Sequence, residues 1–434
     1  MPFRLNAADA GFEAGFGDLL ASKRETDEDV GRVVAEILAA VKARGDAALI
    51  EFTERFDRVK LTPAELRVAE TEIAEAESAC APETLAALDL AAGRIQAFHE
   101  RQRPRDLDYR DEQGIRLGQR WTAVAAAGLY VPGGTAAYPS SVLMTALPAR
   151  VAGVERIVMV VPSPDGAINP LVLAAARRAG VSEIYRVGGA QAIAALAYGT
   201  ETIAPVDVIV GPGNAYVAAA KRQVFGTVGI DMIAGPSEIL VLADAGNEPA
   251  WIAADLLSQA EHDTAAQAIL ITDDADFAEA VERAVEVHLQ RLPRSEIARA
   301  SWERHGAVIL VPDFEAAVPL VDRIAPEHLE LALSEPDALA EKIRNAGAIF
   351  LGRHTPEVIG DYVAGPNHVL PTARSARFSS GLSVLEFMKR SSLICVAPEG
   401  LAAIGPAAVT LAEAEGLDAH ALSVQLRLDA KSGD

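Results

Sequence analysis

The amino-acid sequence predicts an α/β fold with two Rossmann-like parallel-sheet domains and with N- and C-terminal extensions. The first observation is a series of short apolar runs without polar alternation, which is typical of strands buried on both faces of a sheet. The second is that helix-like runs separate these strand-like runs. The length of 434 residues is enough for at least two such domains.

Residues 1–25 are interpreted as an N-terminal extension that precedes a helical region. From about residue 26 to 104, apolar residues recur at spacings of three and four, with charged residues between them. This periodicity predicts amphipathic helices, each with one face turned towards a core.

The first alternating series spans residues 122–236 and is predicted to form one Rossmann-like domain. Its strand-like runs are "TAVAAAGLYVPGG", "RIVMVVPS", "SEIYRVGG", "VDVIVGPG" and "TVGIDMI". Helix-like runs such as "NPLVLAAARRAG" lie between them, so consecutive strands are expected to be parallel.

A second series follows, with "EILVLAD", "AQAILITD", "GAVILVPD" and "GAIFLGR" as strands. We assign residues 26–121 and 237–380 to one discontinuous α/β domain. Residues 381–434 break the alternation and end in a helix-like segment. This last stretch is interpreted as a tail that could bind another subunit.

Composition excludes several classes of function. The 61 acidic residues against 39 Lys and Arg give a formal charge of −22, which repels nucleic-acid backbones and anionic membranes. No apolar run approaches the roughly 20 residues needed to span a bilayer, and the N-terminus lacks the features of a secretory signal. The two cysteines show no CxxC spacing, so neither a disulfide framework nor a thiolate zinc site is expected. The cytoplasm is the expected compartment.

Three predicted strand-to-helix junctions are rich in glycine. They are "YVPGGT" at 130–135, "VGGAQ" at 187–191 and "VGPGN" at 210–214. Glycines here would let a ligand approach backbone N–H groups at the start of a helix. None of the three is a G-x-G-x-x-G fingerprint, so nucleotide binding and plain tight turns both remain open.

Two Glu-His dipeptides stand out. In "LLSQAEHD", Gln259 and His262 are three apart on a predicted helix and share a face; they could bind a metal or be ordinary structural residues. In "APEHLEL", Pro326 suits the first position of a helix, so Glu327 and His328 are expected in a helix or a turn. Together they could activate a water and accept an alcohol proton, or they could simply form a charged first helical turn.

Five further residues could contribute to a site, although each has an ordinary structural alternative. Ser237 could be a turn residue, Asp361 a helix cap and His368 a loop residue, while Glu415 and His420 could lie on a solvated helix face. Local sequence alone does not decide between these alternatives.

Taken together, eight stretches closely resemble the histidinol dehydrogenase family. They are, in order, "GLYVPGG", "VGGAQAIAALAYGT", "VGPGNAYV", "AGPSEILV", "LLSQAEHD", "APEHLEL", "GPNHVLPT" and "ARFSSGLSVLEFMKR". The resemblance runs from about residue 25 to the C-terminus with no motif missing. It implies an NAD-dependent enzyme that oxidises L-histidinol through L-histidinal to L-histidine with two NAD and one water, in the last steps of histidine biosynthesis. It also implies one zinc ion per site and a domain-swapped homodimer with shared active sites.

The resemblance assigns roles by position. Glu327 would activate water and His328 would be the general acid/base. The implied zinc ligands are Gln259, His262, Asp361 and His420. NAD would contact Tyr130, Gln191 and Asn214, and residues 122–236 would be the NAD-binding domain. The substrate would contact the zinc ligands, His328, Ser237, His368 and Glu415.

Physical chemistry supports this assignment, because the imidazole and amine of histidinol are spaced to chelate a metal ion. Two alternatives remain open. One is a paralogous zinc- and NAD-dependent dehydrogenase that acts on another polar alcohol, such as a sulfonated diol. The other is a metal-binding protein without activity, which would be expected to lack Glu327 or His328.

Overall fold

The computed structural model describes residues 1–21, 28–133 and 138–430, which divide into two compact units. The first unit comprises Met1–Gln102 and Ala125–Phe387, and the second comprises Arg103–Val124 and Met388–Asp434. The four-segment division made from the sequence remains a prediction. In the structure, residues 103–124 form one unit with residues 388–434, whereas the sequence placed 103–121 in the discontinuous α/β domain and 122–124 in the Rossmann-like domain.

The N-terminal region is mainly helical, as the periodicity predicts. Its elements are β1 (Phe3–Asn6), α1 (Phe12–Ala21), α2 (Glu28–Arg44), α3 (Asp46–Asp57), α4 (Glu70–Ser78) and α5 (Pro82–Glu100). The apolar face of α2, including Val34 and Val41, shares a core with residues 126–228. The sequence analysis grouped this helix with residues 237–380 instead, because periodicity identifies a buried face without identifying what covers it.

A five-stranded parallel sheet occupies the first alternating series. In spatial order its strands are β6 (Glu183–Tyr185), β5 (Arg156–Val160), β4 (Ala126–Tyr130), β7 (Val208–Val210) and β8 (Gly229–Ile230). Helices α6 (Pro139–Ala152), α7 (Pro170–Ala179), α8 (Gly189–Tyr198) and α9 (Ala215–Val224) connect successive strands. The order is that of a Rossmann-like sheet, and it reverses between β4 and β7. Ligands of such sheets bind at the carboxyl ends of the strands where the order reverses.

A six-stranded parallel sheet forms from the second series and the N-terminus. Its order is β1, β11 (Ala307–Leu310), β10 (Gln267–Thr272), β9 (Glu238–Ala243), β12 (His328–Ala332) and β13 (Ala348–Leu351). The accompanying helices are α10 (Pro249–Ala260), α11 (Ala275–Leu289), α12 (Ser295–His305), α13 (Phe314–Ile324), α14 (Asp337–Ala340) and α15 (Glu357–Tyr362). Successive residues of β9 point to opposite faces, and Val241 and Leu242 belong to two different cores. This sheet is therefore covered on both faces.

The second unit contains an antiparallel sheet that the sequence analysis did not predict. It consists of β14 (Met388–Cys395), β3 (Arg116–Ala123) and β2 (Leu107–Arg110), followed in the chain by α16 (Pro398–Ala414) and α17 (Asp418–Asp429). Large apolar side chains are exposed on this unit, including Ile394, Leu411, Leu422 and Leu426. Neither these helices nor any other in the described ranges is long and apolar enough to cross a membrane.

The glycine-rich junctions all follow strands of the five-stranded sheet. Gly188 and Gly189 open α8, and Asn214 caps α9. Gly211 requires glycine, since its φ is 112° and an added Cβ would lie 2.2 Å from the carbonyl oxygen of Tyr130. The first junction is described only to Gly133, so the predicted turn at residues 134 and 135 lies outside the described residues.

Candidate active site

Glu327 and His328 are both held by the backbone of Glu238. The Oε2 atom of Glu327 accepts a hydrogen bond from the Glu238 N–H at 2.9 Å, and Nδ1 of His328 lies 3.0 Å from the Glu238 carbonyl oxygen. Because a carbonyl oxygen only accepts, Nδ1 carries a proton in this arrangement, and Nε2 is the ring atom that can take up or release a second proton. Both side chains are buried, so these contacts fix two groups capable of proton transfer side by side.

The structure has no helix at Pro326, where the sequence allowed a helix or a turn. Helix α13 ends at Ile324, Ala325 takes a left-handed conformation with φ of 49°, and β12 begins at His328. Neighbouring residues within a strand point to opposite faces of the sheet. Glu327 lies in the loop just before the strand, so its side chain can point to the same side as that of His328. The predicted convergence of Glu327 and His328 therefore occurs, but a loop-to-strand junction produces it.

Charge and burial adjust both groups towards proton exchange. Burial raises the pKa of Glu327 to about 8, against the opposing effects of His328 and of the Glu238 N–H. Burial alone would lower the pKa of His328, but the carboxylates of Glu327 and Asp361 raise it overall. The imidazolium that forms when Nε2 takes up a proton is thus stabilised by its neighbours.

Asp361 on α15 lies beside the imidazoles. Its Oδ1 atom is 3.5 Å from Nε2 of His328 and 3.9 Å from Nδ1 of His368. Burial would raise the pKa of Asp361, but His328, His368 and His262 together lower it. Asp361 is therefore placed as an ionised carboxylate among three rings.

His262 interacts electrostatically with this carboxylate, and Gln259 contacts Glu357 on the same helix as Asp361. Helix α10 ends at Ala260, and His262 follows in a turn in which its N–H donates to the carbonyl of Gln259 at 3.1 Å. Burial lowers the pKa of His262 despite the nearby charge of Asp361, which favours a neutral imidazole. The helix thus ends two residues before His262, and the following turn keeps the backbones of the two residues together.

The side chain of Gln259 has an orientation that suits a cation. Its Nε2 donates to Oε1 of Glu357, while its Oε1 is buried without a hydrogen-bond partner among the described residues. A buried amide oxygen left in this state is an available metal ligand. Within the described part of the chain, no group of three His, Cys, Asp or Glu side chains is arranged to hold a metal ion.

The two remaining predicted substrate residues of the first unit, His368 and Ser237, also lie in this region. Nδ1 of His368 is 2.9 Å from the carbonyl oxygen of Asp361, and its Nε2 is 3.4 Å from the hydroxyl of Ser141. Ser237, in the loop before β9, places its hydroxyl 3.5 Å from Nδ1 of His262. Glu238, His262, Asp361 and their neighbours therefore outline one polar, partly buried site.

Glu415 and His420 are elsewhere in the chain. Glu415 follows the last residue of α16 and His420 lies in the first turn of α17, so both belong to the second unit. Both are exposed. The first unit thus lacks two of the predicted site residues.

Two of the predicted nucleotide residues, Tyr130 and Asn214, lie at or just after the ends of β4 and β7, where the order of the five-stranded sheet reverses, and Gln191 lies in the helix after β6. Tyr130 ends β4, and its hydroxyl accepts a hydrogen bond from the Gly189 N–H at 3.1 Å. Gln191 is buried in the first turn of α8, where its Oε1 has no hydrogen-bond partner within the described residues. Asn214 caps α9 through its Oδ1, which accepts hydrogen bonds from the N–H groups of Tyr216 and Val217; its side-chain amide nitrogen takes no part in the cap.

Comparison with known proteins decides the family. The family model for histidinol dehydrogenase matches residues 20–428. This chain belongs to the histidinol dehydrogenase family. Among relatives, the histidinol dehydrogenase of Rhodospirillum rubrum is 67% identical over 99% of each chain, and that of Rhizobium meliloti is 66% identical over 99% of each chain. The crystal structure of histidinol dehydrogenase from Elizabethkingia anophelis has a TM-score of 0.95 at 37% identity, covering 100% of this chain and 99% of that one.

This family member also contains a buried ion pair that the sequence analysis missed. Lys221 Nζ donates to Asp231 Oδ1 and, at 3.0 Å, to the carbonyl oxygen of Gly211. Oδ2 of Asp231 accepts from the Gly211 N–H at 2.7 Å. The pair therefore clamps the "GPGN" turn from both sides. The available signal was a lysine on the apolar face of "AYVAAAKRQV".

Buried acids behind Gln259 were missed as well. Oε1 of Glu330 accepts from the Glu357 N–H at 2.6 Å, and Asp255 is electrostatically linked to Glu330. Burial raises the pKa of Asp255 to about 6 and that of Glu357 to about 7, and the pKa of Glu330 is also raised. The visible signal in the sequence was Glu330, an acid between two leucines in "HLELA". These acids support the segment that orients Gln259.

Proposed function

We propose that this member of the histidinol dehydrogenase family oxidises L-histidinol through L-histidinal to L-histidine, as the last steps of histidine biosynthesis. Turning a primary alcohol into a carboxylate removes two hydrides and adds one oxygen from water. Each L-histidinol therefore reduces two NAD and releases three protons. The observation that carries this proposal is the pairing of Glu327 with His328 on the backbone of Glu238, because two oxidations with one hydration need two proton-handling groups.

In the first oxidation, Nε2 of His328 accepts the proton of the substrate hydroxyl. Glu238 supports this role by keeping the Nδ1 proton engaged, which leaves Nε2 as the accepting atom. NAD, when bound, would supply the acceptor for the hydride of the carbinol carbon. The carboxylates of Glu327 and Asp361 stabilise the imidazolium that results.

In the second oxidation, Glu327 accepts a proton from water as the water adds to the aldehyde. The carboxylate must be ionised for this step, and its raised pKa makes it a stronger base than an exposed glutamate. His328, after releasing its first proton to solvent, then accepts the proton of the hydrated aldehyde as the second hydride leaves.

The residues also fit a zinc ion. Gln259, His262 and Asp361 would hold it from the first unit, together with His420 of the partner subunit. The unpartnered Oε1 of Gln259 and the neutral imidazole of His262 support this assignment. Zinc, when bound, supplies positive charge that holds the imidazole and amine nitrogens of the substrate. Ser237, His368 and Glu415 of the partner subunit would complete the substrate site.

A homodimer with shared active sites accounts for the division of the predicted site residues between the two units of the chain. Helix α15 carries Asp361 and exposes Val358, Ile359 and Tyr362, an apolar surface that a partner could cover. Helix α17 carries His420 and exposes Leu422 and Leu426. Exposed apolar surfaces of this kind mark protein interfaces. We place the tail of one subunit over α15 of the other, which gives the domain-swapped arrangement.

Mixing two inactive variants tests this shared site. A heterodimer of His262→Ala and His420→Ala chains contains one site with neither substitution, so random subunit exchange should restore about a quarter of the wild-type activity. The measurement is activity after exchange, with heterodimers counted by purification through two different tags. As a control, a mixture of His262→Ala with Asp361→Ala should stay inactive, because both substitutions affect the first unit. Heterodimers without activity would place the tail in the site of its own chain.

NAD binding is assigned to Tyr130 and Asn214 at the reversal point of the five-stranded sheet, and to Gln191 in the helix after β6. The buried, unpartnered Oε1 of Gln191 supports a ligand there. The cytoplasm is the proposed compartment, which suits the two free cysteines, Cys80 and Cys395. The alternative of a paralogue acting on a sulfonated diol has no support from the relatives named above; turnover of such a diol without turnover of L-histidinol would favour it.

A further inference from the structure

A buried carboxylate stands at the carboxyl end of β5, where the nucleotide motifs did not predict one. Asp57 is the last residue of α3 and is 7% exposed. Its Oδ2 accepts a hydrogen bond from the Ser163 N–H at 3.2 Å, and Ser163 lies three residues beyond the end of β5. The carboxylate thus comes from α3, 106 residues earlier in the chain than its partner in the loop after β5.

This position is under-satisfied in hydrogen bonds. Within the described residues, Asp57 accepts only the bond from Ser163. The hydroxyl of Ser163 is itself fully buried and has no hydrogen-bond partner among those residues. Burial raises the pKa of Asp57, and the Ser163 N–H and Arg58 oppose that effect. A buried carboxylate next to an unpaired hydroxyl indicates that a polar ligand completes the site.

The surrounding segments place Asp57 beside the candidate nucleotide loops. An added Cβ at Gly188 would lie 2.4 Å from Cβ of Pro162, and one at Gly133 would lie 2.7 Å from Cγ of the same proline. The loops after β4, β5 and β6 therefore meet at Pro162, directly before Ser163. Asp57 is also close enough to Tyr130 to influence its hydroxyl electrostatically.

Arg58 fixes the end of α3 at this place. Its guanidinium donates to both carboxylate oxygens of Asp165, at 2.9 and 2.7 Å, in the turn that follows Ser163. Arg58 itself adopts a left-handed conformation with φ of 56°, which ends the helix directly after Asp57. Arg58 is thus paired with Asp165 and is not available to neutralise a phosphate at Asp57.

We propose that Asp57 accepts a hydrogen bond from the 2′-hydroxyl of the adenosine ribose of NAD and thereby excludes NADP. In Rossmann-like sheets an acidic residue after the second strand performs this role, and β5 is the second strand of this sheet in chain order. Here α3 supplies the acid. A 2′-phosphate at this place would meet the carboxylate with like charge, and the neighbouring Arg58 is paired with Asp165. The inference rests on the proposed NAD site.

Direct titration of the full-length enzyme with NADH and NADPH, followed by nucleotide fluorescence, tests the inference without turnover. The wild type should bind NADH and discriminate against NADPH. Asp57→Asn keeps an acceptor for the Ser163 N–H but removes the charge, so NADH should bind about tenfold more weakly, as expected for loss of a charge-assisted hydrogen bond. NADPH affinity should rise. Glu54→Gln, an exposed carboxylate on the same helix, should change neither affinity.

The outcomes separate this inference from the proposed function. If the wild type binds NADH and Asp57→Asn leaves the ratio of the two affinities unchanged, the role of Asp57 is wrong and the dehydrogenase proposal stands. If the wild type binds neither nucleotide, NAD use itself is wrong. If Asp57→Asn does not fold, Asp57→Glu serves instead: it keeps the charge and should still disfavour NADPH, and NADPH binding as tight as NADH binding would overturn the inference.

Discussion

Replacing Glu327 with glutamine is expected to slow the conversion of L-histidinal to L-histidine by about 10²- to 10⁴-fold, the usual contribution of a general base. Glutamine has nearly the same shape, and its carbonyl oxygen can still accept the hydrogen bond from Glu238. It cannot take a proton from water. The first oxidation, assigned to His328, should be much less affected. Single-turnover kinetics with NADH absorbance would resolve the two steps.

The pH profile gives a second sign of the same role. Because burial raises the pKa of Glu327 to about 8, the wild-type second step should speed up as pH rises through about 8 and the carboxylate ionises. Glu327→Gln should lose this dependence. Glu261→Gln removes a carboxylate next to His262 to which we assign no catalytic role, and it should leave both steps unchanged. Equal slowing of both steps in Glu327→Gln would contradict the division of labour between Glu327 and His328.

Replacing Lys221 with methionine is expected to lower the free energy of unfolding by about 3–5 kcal/mol. Methionine is similar in length, so the main loss is electrostatic: Asp231, whose side chain has 0% exposure, is left without its cation. The carbonyl of Gly211 also loses its donor, so the "GPGN" turn loosens and NADH affinity should fall with stability. Urea unfolding of the variant and the wild type measures the first effect.

Two further variants sharpen this test. Arg222→Met removes the exposed cation next to Lys221 on the same helix and should change stability by less than about 0.5 kcal/mol. In Lys221→Met combined with Asp231→Asn, no uncompensated charge is buried, and the amide oxygen can still accept from Gly211. This double variant should therefore be more stable than Lys221→Met alone. A loss below about 1 kcal/mol in Lys221→Met would show that the pair is not the clamp we describe.

Local sequence patterns predicted the parallel strands well, because a strand buried on both faces must be apolar throughout. The run "EILVLAD" became β9 and "AQAILITD" became β10. The same logic failed at "APEHLEL". A proline followed by an acid looks like the start of a helix, and the pairing of His328 with Ile239 of β9 and with Ala348 of β13 establishes a strand there.

Contacts between distant segments could not be predicted from periodicity. Strand β3 pairs with β14, with Arg116 opposite Cys395, which is 279 residues later in the chain, and nothing local in either segment indicates its partner. The same holds for Lys221 with Asp231 and for Asp57 with Ser163. These pairs are fixed by tertiary structure, and a sequence shows at most that a charged residue occupies an apolar face.

The candidate site also combines what local sequence predicts with what only tertiary structure fixes. Individual motifs left Gln259, His262 and Glu327 with ordinary structural alternatives, and only the family resemblance ordered them into one site. The structure then brings His262, Glu327, His328 and Asp361 into one region, while His420 lies in the second unit. The roles of these residues remain predictions.

The most direct test of the central claim is the yield of NADH per molecule of L-histidinol consumed by the zinc-loaded protein with NAD in excess. Two NADH per L-histidinol, with L-histidine as the product, is the predicted result, since Glu327 and His328 together complete both oxidations. A yield of one would mean that L-histidinal leaves unhydrated and would contradict the assignment of water activation to Glu327. No NADH from L-histidinol would contradict the proposed function itself.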